Sequence, residues 1–467
     1  MRLDDALDYG IQTERARLNF PVSGLLVHRF PEFLRMLLLV KKAAARANAA
    51  IGALDGEVAG AVVSVCDTVA DEDFAARFPQ DIFQGGGGTS INMNANEVIA
   101  LLANALLTGR KGYDRVHPNT HVNMGQSTND VIPSALRLSC LPLIAELEAA
   151  LAAFERALAA KAEAFAAVVK IGRTCLQDAL PITLGQEFGG YAAFAGRMRS
   201  QASALKQGAL TLTMGGTAIG TGLGARAGFR EAFYRFLSEE LGERARPEDN
   251  MFDGMQNGDY YLDVSGCLKK TASGISKMAT DMRLMSSGPR AGLRELVLPA
   301  VQPGSSIMPG KINPVIPEMV NQVAYQIVGN DVAVAMAVEG GELDLNVWEP
   351  VILKNITESF VILTNAITVF RTRCVEGLEA NSGVLRGYAE QSLALSTVIA
   401  TLFGYEKGAE VAEYAHVRDM DVKEACLALG LLTPEQAQEL LDPLAMTDNE
   451  AYQALLEKYA GLGGASG

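Results

Sequence analysis

The stretch "IAELEAALAAFERALAAKAEAF", residues 144–165, indicates the fold class of the chain. Its large apolar side chains recur three and four positions apart, with Glu and Lys between them. This spacing places the apolar side chains on one face of an α-helix and the charges on the other: Ile144, Leu147, Leu151, Phe154 and Leu158. The stretch therefore predicts a long amphipathic helix that packs into a core.

Three further stretches show the same helical spacing. One contains Val264, Leu268, Ile275, Met278, Met282 and Met285; one runs from Glu318 through Val323 and Ile327 to Met336; one follows Pro350 with Ile352, Ile356, Phe360 and Leu363. Helical spacing alone explains the methionines as core residues. Alternating strand patterns are brief and no βαβ rhythm occurs. The sequence predicts an all-α fold with a long central helix bundle, whose wide apolar stripes lead us to expect association of subunits.

The distribution of these patterns predicts three domains. Residues 1–129 form a mixed helical N-terminal domain, 130–380 the central long-helix domain, and 381–467 a small C-terminal helical domain. In the last of these, "GLLTPEQAQELL" contains a helix start, with Thr433 as N-cap, Pro434 at the first helical position and Gln436 closing a capping box.

Composition restricts the partners and cofactors. A formal net charge of −14 argues against nucleic acid and anionic membrane. No apolar run approaches the roughly 18 residues of a membrane span. The N-terminus "MRLDDALDYG" is acidic without an apolar signal core, so we expect a cytoplasmic protein. Six scattered cysteines without a C-x-x-C pair, and only four histidines, predict no metal centre. "GTGLGA", residues 220–225, follows no strand, so we expect no nucleotide cofactor.

Four clusters of small polar residues indicate a binding site. They are "GGGGTSINMNANE" (85–97), "HPNTHVNMGQSTND" (117–130), "GRTCLQDALP" (172–181) and "QPGSSIMPGKINPVIPE" (302–318). Singly, each fits a cap or a turn. In the second cluster, Asn129 or Asp130 is expected to cap a helix beginning near Val131. Together, hydroxyl donors and helix N-termini suit a small dicarboxylate, with Lys311 as the one full positive charge.

These clusters resemble the aspartase/fumarase superfamily. "GSSIMPGKINP", residues 304–314, matches the signature of that superfamily at every defined position. The other three clusters match further blocks in the expected order, as do "GGTAIGTGL", "LMSSGPRAGL" and "LNVWEPVI". The resemblance extends over essentially the whole chain. It implies an all-helical, three-domain homotetramer whose active sites each combine residues from three chains. It also implies reversible elimination from a 2-substituted succinate to give fumarate, without an organic cofactor.

The resemblance also implies a role for each site residue. Ser305 resembles the general base that removes the C3 proton. Donors to the resulting enediolate are Ser127, Thr128 and the backbone N–H groups that follow Ser305, including that of Ser306. The residues that bind the other carboxylate, by the same resemblance, are Lys311, Asn313 and Thr174. Thr89 and Asn129 resemble the pair that contacts the leaving amino group. The glycines and prolines around Ser305 suggest a loop that closes over the substrate.

One position departs from the pattern. Fumarases carry His where this chain has Cys175, and that His pairs with a glutamate at the position of Glu318. Aspartases vary there between His and Gln. Cys175 is either a neutral replacement beside a roomy pocket or a sign of a bulkier leaving group. A catalytic thiol is disfavoured, because no His lies in the same motif to activate it.

Several blocks resemble aspartases more than fumarases, including Ala291 and Glu349. We therefore predict elimination of ammonia from L-aspartate, with an N-substituted aspartate lyase and class II fumarase as alternatives. Argininosuccinate and adenylosuccinate lyases carry a basic residue where this chain has Ile312. A non-catalytic relative would be expected to lose site donors that are all present here. A second anion or metal site near His117 and Asn119 stays open.

Overall fold

The computed structural model describes residue 4 and residues 6–463, and this part of the chain is largely helical. Its α-helices are α1 Ile11–Asn19, α2 Pro31–Ala50, α3 Gly56–Ala70, α4 Thr89–Thr108, α5 Thr128–Ala164, α6 Leu184–Ala204, α7 Lys206–Ala209, α8 Phe229–Leu241, α9 Met251–Gln256, α10 Asp259–Met285, α11 Val315–Glu339, α12 Glu349–Phe370, α13 Ser382–Gln391, α14 Ser396–Phe403, α15 Tyr405–Arg418, α16 Val422–Ala428, α17 Pro434–Leu440 and α18 Asn449–Lys458. The prediction of an all-α fold is confirmed.

The long helices follow the predicted apolar patterns. Helix α5 has 37 residues, and its five predicted core side chains, from Ile144 to Leu158, are all fully buried. The predicted stripe of α10 is buried throughout, including its methionines, so those methionines pack in the core. The predicted side chains of α12 are also buried. Burial of each stripe away from water drives the packing of these helices.

Helix α11 differs from the other three. Ile327 is buried, but Met336 is 69% exposed. An exposed apolar face lies along the helix at spacings of three and four, and we call it the α11 stripe: Tyr325, Val328, Val332 and Met336. The pattern ending at Met336 is therefore only partly buried within the chain, and the expected association of subunits along such stripes stays a prediction.

The strands are short and form three two-stranded sheets among the described residues. They are β1 Val169–Thr174, β2 Gln177–Thr183, β3 Thr211–Leu212, β4 Arg246–Pro247, β5 Leu296–Val297 and β6 Glu379–Ala380. β1 and β2 form an antiparallel hairpin in which Thr174 pairs with Gln177. β3 and β4 pair in parallel, and β5 and β6 pair antiparallel.

The chain divides into two compact units. The first comprises the described residues up to Ala149, with Met198–Ala272 and Val323–Asn365. The second comprises Ala150–Arg197, Ser273–Gln322 and the described residues from Ala366 onward. The three-domain division stays a prediction. No helix among the described residues has the length and apolar character needed to cross a membrane.

The C-terminal helices have a core of their own. Apolar side chains from α14, α15, α16, α17 and α18 pack together in one cluster. Helix α17 begins with the predicted capping box, in which Thr433 accepts from the backbone N–H of Gln436 and the Gln436 side chain accepts from that of Thr433.

Candidate active site

The first group of predicted site residues lies in the first unit, at the N-termini of α4 and α5. Gly86, Gly87 and Gly88 all adopt positive φ, which brings the chain sharply into α4 at Thr89. The exposed Thr89 side chain donates to the Gly86 carbonyl at 2.6 Å. A side chain at Gly88 would lie 3.0 Å from Ile132 on α5, so this glycine allows the two helix N-termini to approach.

Helix α5 begins three residues earlier than predicted, at Thr128 rather than near Val131. The capping residue is Ser127, not Asn129 or Asp130: its Oγ accepts from the backbone N–H of Asn129 at 3.3 Å. Asp130 returns the interaction, accepting from the backbone N–H of Ser127 at 2.9 Å. These two hydrogen bonds place Ser127 and Thr128, both half-buried, at the positive end of a 37-residue helix.

The side chain of Asn129 serves the surrounding loop. Its Nδ2 donates to the carbonyl of Ala218 at 2.8 Å. Asp130 also accepts from the backbone N–H groups of Gly215 and Thr217, at 3.2 and 3.0 Å. The block "GGTAIGTGL" therefore lies against the start of α5. Burial raises the pKa of the Asp130 carboxyl, and its three backbone N–H donors oppose that shift.

A buried polar network lies beneath the start of α5. Asn92 on α4 donates from Nδ2 to Thr128 Oγ1 at 3.1 Å and to Asn123 Oδ1 at 3.2 Å. The same Asn123 oxygen accepts from Lys41 Nζ at 3.0 Å and from Asn96 Nδ2 at 3.1 Å. Lys41, on α2, is fully buried. The sequence motifs include these asparagines, but no role was predicted for them. The available signal was that Lys41 directly follows the apolar run "MLLLV".

The carboxyl group of Glu349 is a further buried group near the glycine turn. Glu349 is the first residue of α12 and only 5% exposed, and its Oε2 has no hydrogen-bond partner. A side chain at Gly87 would lie 3.6 Å from that oxygen. Burial raises the pKa of Glu349 to about 8.

The second group lies in the second unit and includes the β1–β2 hairpin. Thr174 ends β1, and Cys175 and Leu176 form a two-residue turn with φ of 53° and 60°. Two consecutive positive φ values are typical of a type I′ hairpin turn, which favours Asn-Gly. Cys175 is exposed and Leu176 is 72% exposed. The turn therefore presents Cys175 at a hairpin tip rather than in a packed interior.

A buried carboxylate anchors this hairpin. Glu295 is fully buried, and its Oε1 lies 2.7 Å from Arg173 Nη2. Its Oε2 lies 3.6 Å from Lys170 Nζ. Lys170 also donates to Glu187 Oε2 at 2.7 Å. Because Glu295 immediately precedes β5, these ion pairs tie the strand that carries Thr174 to the segment that leads into the signature loop.

The signature loop is closed at its root by hydrogen bonds. The backbone N–H of Gly304 donates to the Lys311 carbonyl at 2.8 Å, and Asn313 Nδ2 donates to the Gly304 carbonyl at 2.8 Å. The Oγ of Ser305 accepts from the backbone N–H groups of Ile307 and Met308, at 3.2 and 3.1 Å. The loop thus brings together Ser305, Ser306, Lys311 and Asn313, of which Ser306 and Lys311 are exposed.

An open concavity of about 490 Å³ is lined by this loop. Ser305 and Lys311 both contribute to its wall. Glu318, in the first turn of α11, lies beyond the loop with its Oε1 4.0 Å from Arg283 Nη2. The glutamate therefore has a cationic neighbour that the sequence did not predict. Among the described residues, no three His, Cys, Asp or Glu side chains are grouped to hold a metal ion.

Comparison with known proteins places the chain in one family. Residues 3–329 match the family model described as lyase, and residues 395–448 match the model described as fumarase C C-terminus. Aspartate ammonia-lyase from Bacillus sp is 44% identical over 440 residues, with 94% of each chain covered. Class II fumarate hydratase from Halobacterium salinarum is 45% identical over 440 residues, covering 94% of this chain and 93% of that protein.

Solved structures agree with this placement. The fumarate lyase:delta crystallin from Brucella melitensis, in its cobalt-bound crystal structure, superposes with a TM-score of 0.92 at 44% identity, covering 96% of this chain and 97% of that one. Class II fumarase from Schistosoma mansoni gives 0.90 at 34% identity, with the same coverage. The sequence blocks, the helical architecture and these matches lead to one conclusion: the chain belongs to the aspartase/fumarase superfamily of lyases.

Proposed function

We propose that this chain eliminates ammonia from L-aspartate to give fumarate, reversibly, as a carbon–nitrogen lyase. Relatives named aspartate ammonia-lyase, at 42–44% identity over nearly the whole chain, support this activity. Identity alone does not separate it from hydration, because the fumarate hydratase relative is equally similar. The deciding observation is Cys175 at the hairpin tip, where a fumarase would carry a histidine, while Glu318 has Arg283 as its charged neighbour.

The proposed reaction begins at Ser305. Its Oγ takes the C3 proton, and the electron pair of the C–H bond moves into the neighbouring carboxylate to form an enediolate. Two backbone N–H groups already donate to this Oγ, so negative charge on it is stabilised. Collapse of the enediolate forms the C2–C3 double bond and breaks the C2–N bond, which releases ammonia.

The remaining predicted residues bind the two carboxylates and the amino group. Ser127 and Thr128, at the positive end of α5, are proposed to stabilise the enediolate. Lys311, Asn313 and Thr174 are proposed to hold the other carboxylate, and Thr89 and Asn129 to contact the amino group. Their placement at helix N-termini, a hairpin end and a loop allows a protein of net charge −14 to bind a dianion locally.

We infer that four copies of the chain assemble and share their active sites. The α11 stripe supports this, because four large apolar side chains on one helix face are 40–69% exposed. A second copy of the same long helix would cover this face by helix packing. The two groups of site residues would then combine across subunits. The six cysteines are free, which suits a reducing compartment, and we propose the cytoplasm.

The activity is tested by following fumarate absorbance with purified protein and a panel of L-aspartate, L-malate and N-substituted aspartates. We expect L-aspartate to give the highest kcat/KM. Strong turnover of malate with none of aspartate would overturn the proposal in favour of fumarase. Preference for an N-substituted aspartate would favour the second candidate, for which the specific observation is a small, exposed side chain at position 175.

A further inference from the structure

The hydrogen bond from Asn92 to Thr128 determines whether the Thr128 hydroxyl is an acceptor or a donor in that contact. Asn92 is 2% exposed, and its Nδ2 lies 3.1 Å from Thr128 Oγ1. An amide Nδ2 is only a donor, so the hydroxyl oxygen accepts in this contact. A hydroxyl has one proton. The proton of the Thr128 hydroxyl is therefore available to an acceptor outside the network, and Thr128 is only half-buried.

The direction of this hydrogen bond is set from Lys41. A lysine side chain supplies N–H donors, so Asn123 must turn its Oδ1 toward Lys41 Nζ, 3.0 Å away. That oxygen also faces Asn92 and Asn96, so both must present Nδ2. A chain of donors and acceptors thus runs from Lys41 through Asn123 and Asn92 to Thr128. Amide orientations that are otherwise ambiguous are determined by the N–H donors of one buried lysine.

We propose that Asn92 is a positioning residue that keeps the Thr128 hydroxyl as a donor to a substrate carboxylate oxygen, and that Lys41 orients Asn92 through Asn123. The inference rests on the proposed function, in which Thr128 stabilises the enediolate. Without the Asn92 donor, the Thr128 hydroxyl is free to rotate and to donate its hydrogen bond to an acceptor within the protein. The enediolate would then lose a preorganised donor.

Asn94 provides a matched control on the same helix. It is fully buried, as Asn92 nearly is, and its Nδ2 donates to the carbonyl of Arg77 at 2.9 Å. Asn92→Asp and Asn94→Asp both place a carboxyl in a buried site of α4. Only Asn92→Asp replaces the donor that faces Thr128 with an acceptor, toward which the hydroxyl proton will turn.

The test measures kcat and KM for L-aspartate, inhibition by fumarate, and melting temperature for the parent and both variants. We expect Asn92→Asp to lower kcat/KM by about 10²-fold, the typical effect of losing one such donor. Asn94→Asp should match it in melting temperature and stay within roughly threefold of the parent in kcat/KM, because it removes no donor to Thr128. Equal kinetic losses in the two variants would overturn the proposal.

A double-mutant cycle with Thr128→Val provides the sharper criterion. If Asn92 acts through Thr128, Asn92→Asp should add little to the loss already caused by Thr128→Val. Losses that multiply would show that Asn92 acts by another route and overturn the inference. Should Asn92→Asp fail to fold, Asn92→Ala and Lys41→Met enter the same cycle with the same expectation.

The outcomes separate this inference from the proposed function. If the parent does not deaminate L-aspartate, the proposed substrate fails, and the cycle is run with the panel member that the parent does turn over. If Thr128→Val is as active as the parent, the role of Thr128 and the inference fail together. If Thr128→Val is impaired while Asn92→Asp matches Asn94→Asp, only the inference fails.

Discussion

At the scale of single residues, the hydroxyl of Ser305, the proposed base, accepts hydrogen bonds from its own loop. Its Oγ receives two backbone N–H groups from the loop that follows it, at 3.2 and 3.1 Å. These dipoles are already aligned before substrate arrives, so stabilising charge on the oxygen requires little reorganisation. The arrangement is local to the loop, because both donors lie within three residues of Ser305.

Replacing Ser305 with Ala should lower kcat for L-aspartate by about 10³-fold or more, within the range of losing a general base and an activated oxygen. The melting temperature and the oligomeric state should stay close to those of the parent, because the side chain is only partly buried. Stopped assays of fumarate formation and light scattering check this. Turnover at the parental rate would remove Ser305 from the role of base.

The buried carboxyl of Glu349 predicts a pH-dependent stability. Its pKa is raised from an ordinary 4.5 to about 8, so the folded state binds a proton that the unfolded state releases. This contribution is fully present below pH 4.5 and is lost as pH rises toward 8. The parent should therefore lose up to about 1.4 kcal/mol per pH unit relative to Glu349→Gln within that range.

Thermal melts of parent and Glu349→Gln between pH 5 and 9 test this expectation. The melting temperature of the variant minus that of the parent should increase up to about pH 8 and stay constant above it. Glu358→Gln on the same helix is the control, because that carboxylate is paired with Lys354 and partly exposed. A constant difference across the whole range would contradict the assignment of a buried, protonated Glu349.

At the scale of elements, the β1–β2 hairpin determines where position 175 is presented. Cys175 and Leu176 occupy a turn whose positive φ values are unfavourable for side chains with a Cβ. Ion pairs from Glu295 to Arg173 and Lys170 support the strand behind the turn. These ion pairs hold the hairpin in place. The exposed side chain at position 175 can therefore be changed to alter substrate preference without disturbing a core.

We expect Cys175→His to raise the ratio of malate to aspartate kcat/KM by about tenfold or more, because an imidazole is able to activate water or protonate a hydroxyl leaving group. Leu176→His is the matched control, since it places an imidazole one residue away on the same turn. Comparison of both ratios with the parent is the measurement. An unchanged profile for Cys175→His would mean that position 175 is neutral to the leaving group.

The hydrogen bonds that close the signature loop require that position 304 has no side chain. An added Cβ there would lie 2.6 Å from the Lys311 carbonyl oxygen and 2.7 Å from the Asn313 nitrogen. We expect Gly304→Ala to reduce kcat/KM by about 10²-fold through displacement of the loop. Gly383→Ala, in open space on α13, should keep parental activity. Equal activity of both variants would show that loop closure at Gly304 is dispensable.

At the scale of the whole molecule, the α11 stripe is one apolar surface that a single chain leaves uncovered among the described residues. Val332, in the middle of it, is 53% exposed. Val332→Glu should dissociate the assembly and reduce activity together, because shared sites require neighbouring subunits. Val417→Glu, at a 71% exposed position on α15, is the control and should remain assembled. Light scattering and fumarate assays decide, and a fully active monomer of Val332→Glu would refute site sharing.

Much of the architecture follows from short-range patterns. The apolar spacing of residues 144–165 and of the α10 and α12 stripes predicts helices whose core faces the structure confirms. The capping box at Thr433 is equally local. The start of α5 was misplaced because "QSTND" offers several capping residues, and only the pairing of Ser127 with Asp130 selects among them. For the exposed face of α11, apolar spacing predicts the helix but does not say which chain covers that face.

The sequence by itself determined the fold class, the superfamily and the residues of the signature loop, because helical periodicity and motif spacing are properties of neighbouring positions. Only the tertiary structure decided which groups are buried and what they contact. Three features depend on residues far apart in the sequence: the hydrogen bonds from Lys41 through Asn123 to Asn92, the burial of Glu349 near Gly87, and the ion pairs of Glu295. Hydrogen-bond direction and desolvation depend on three-dimensional neighbours, and those are set when the helices pack.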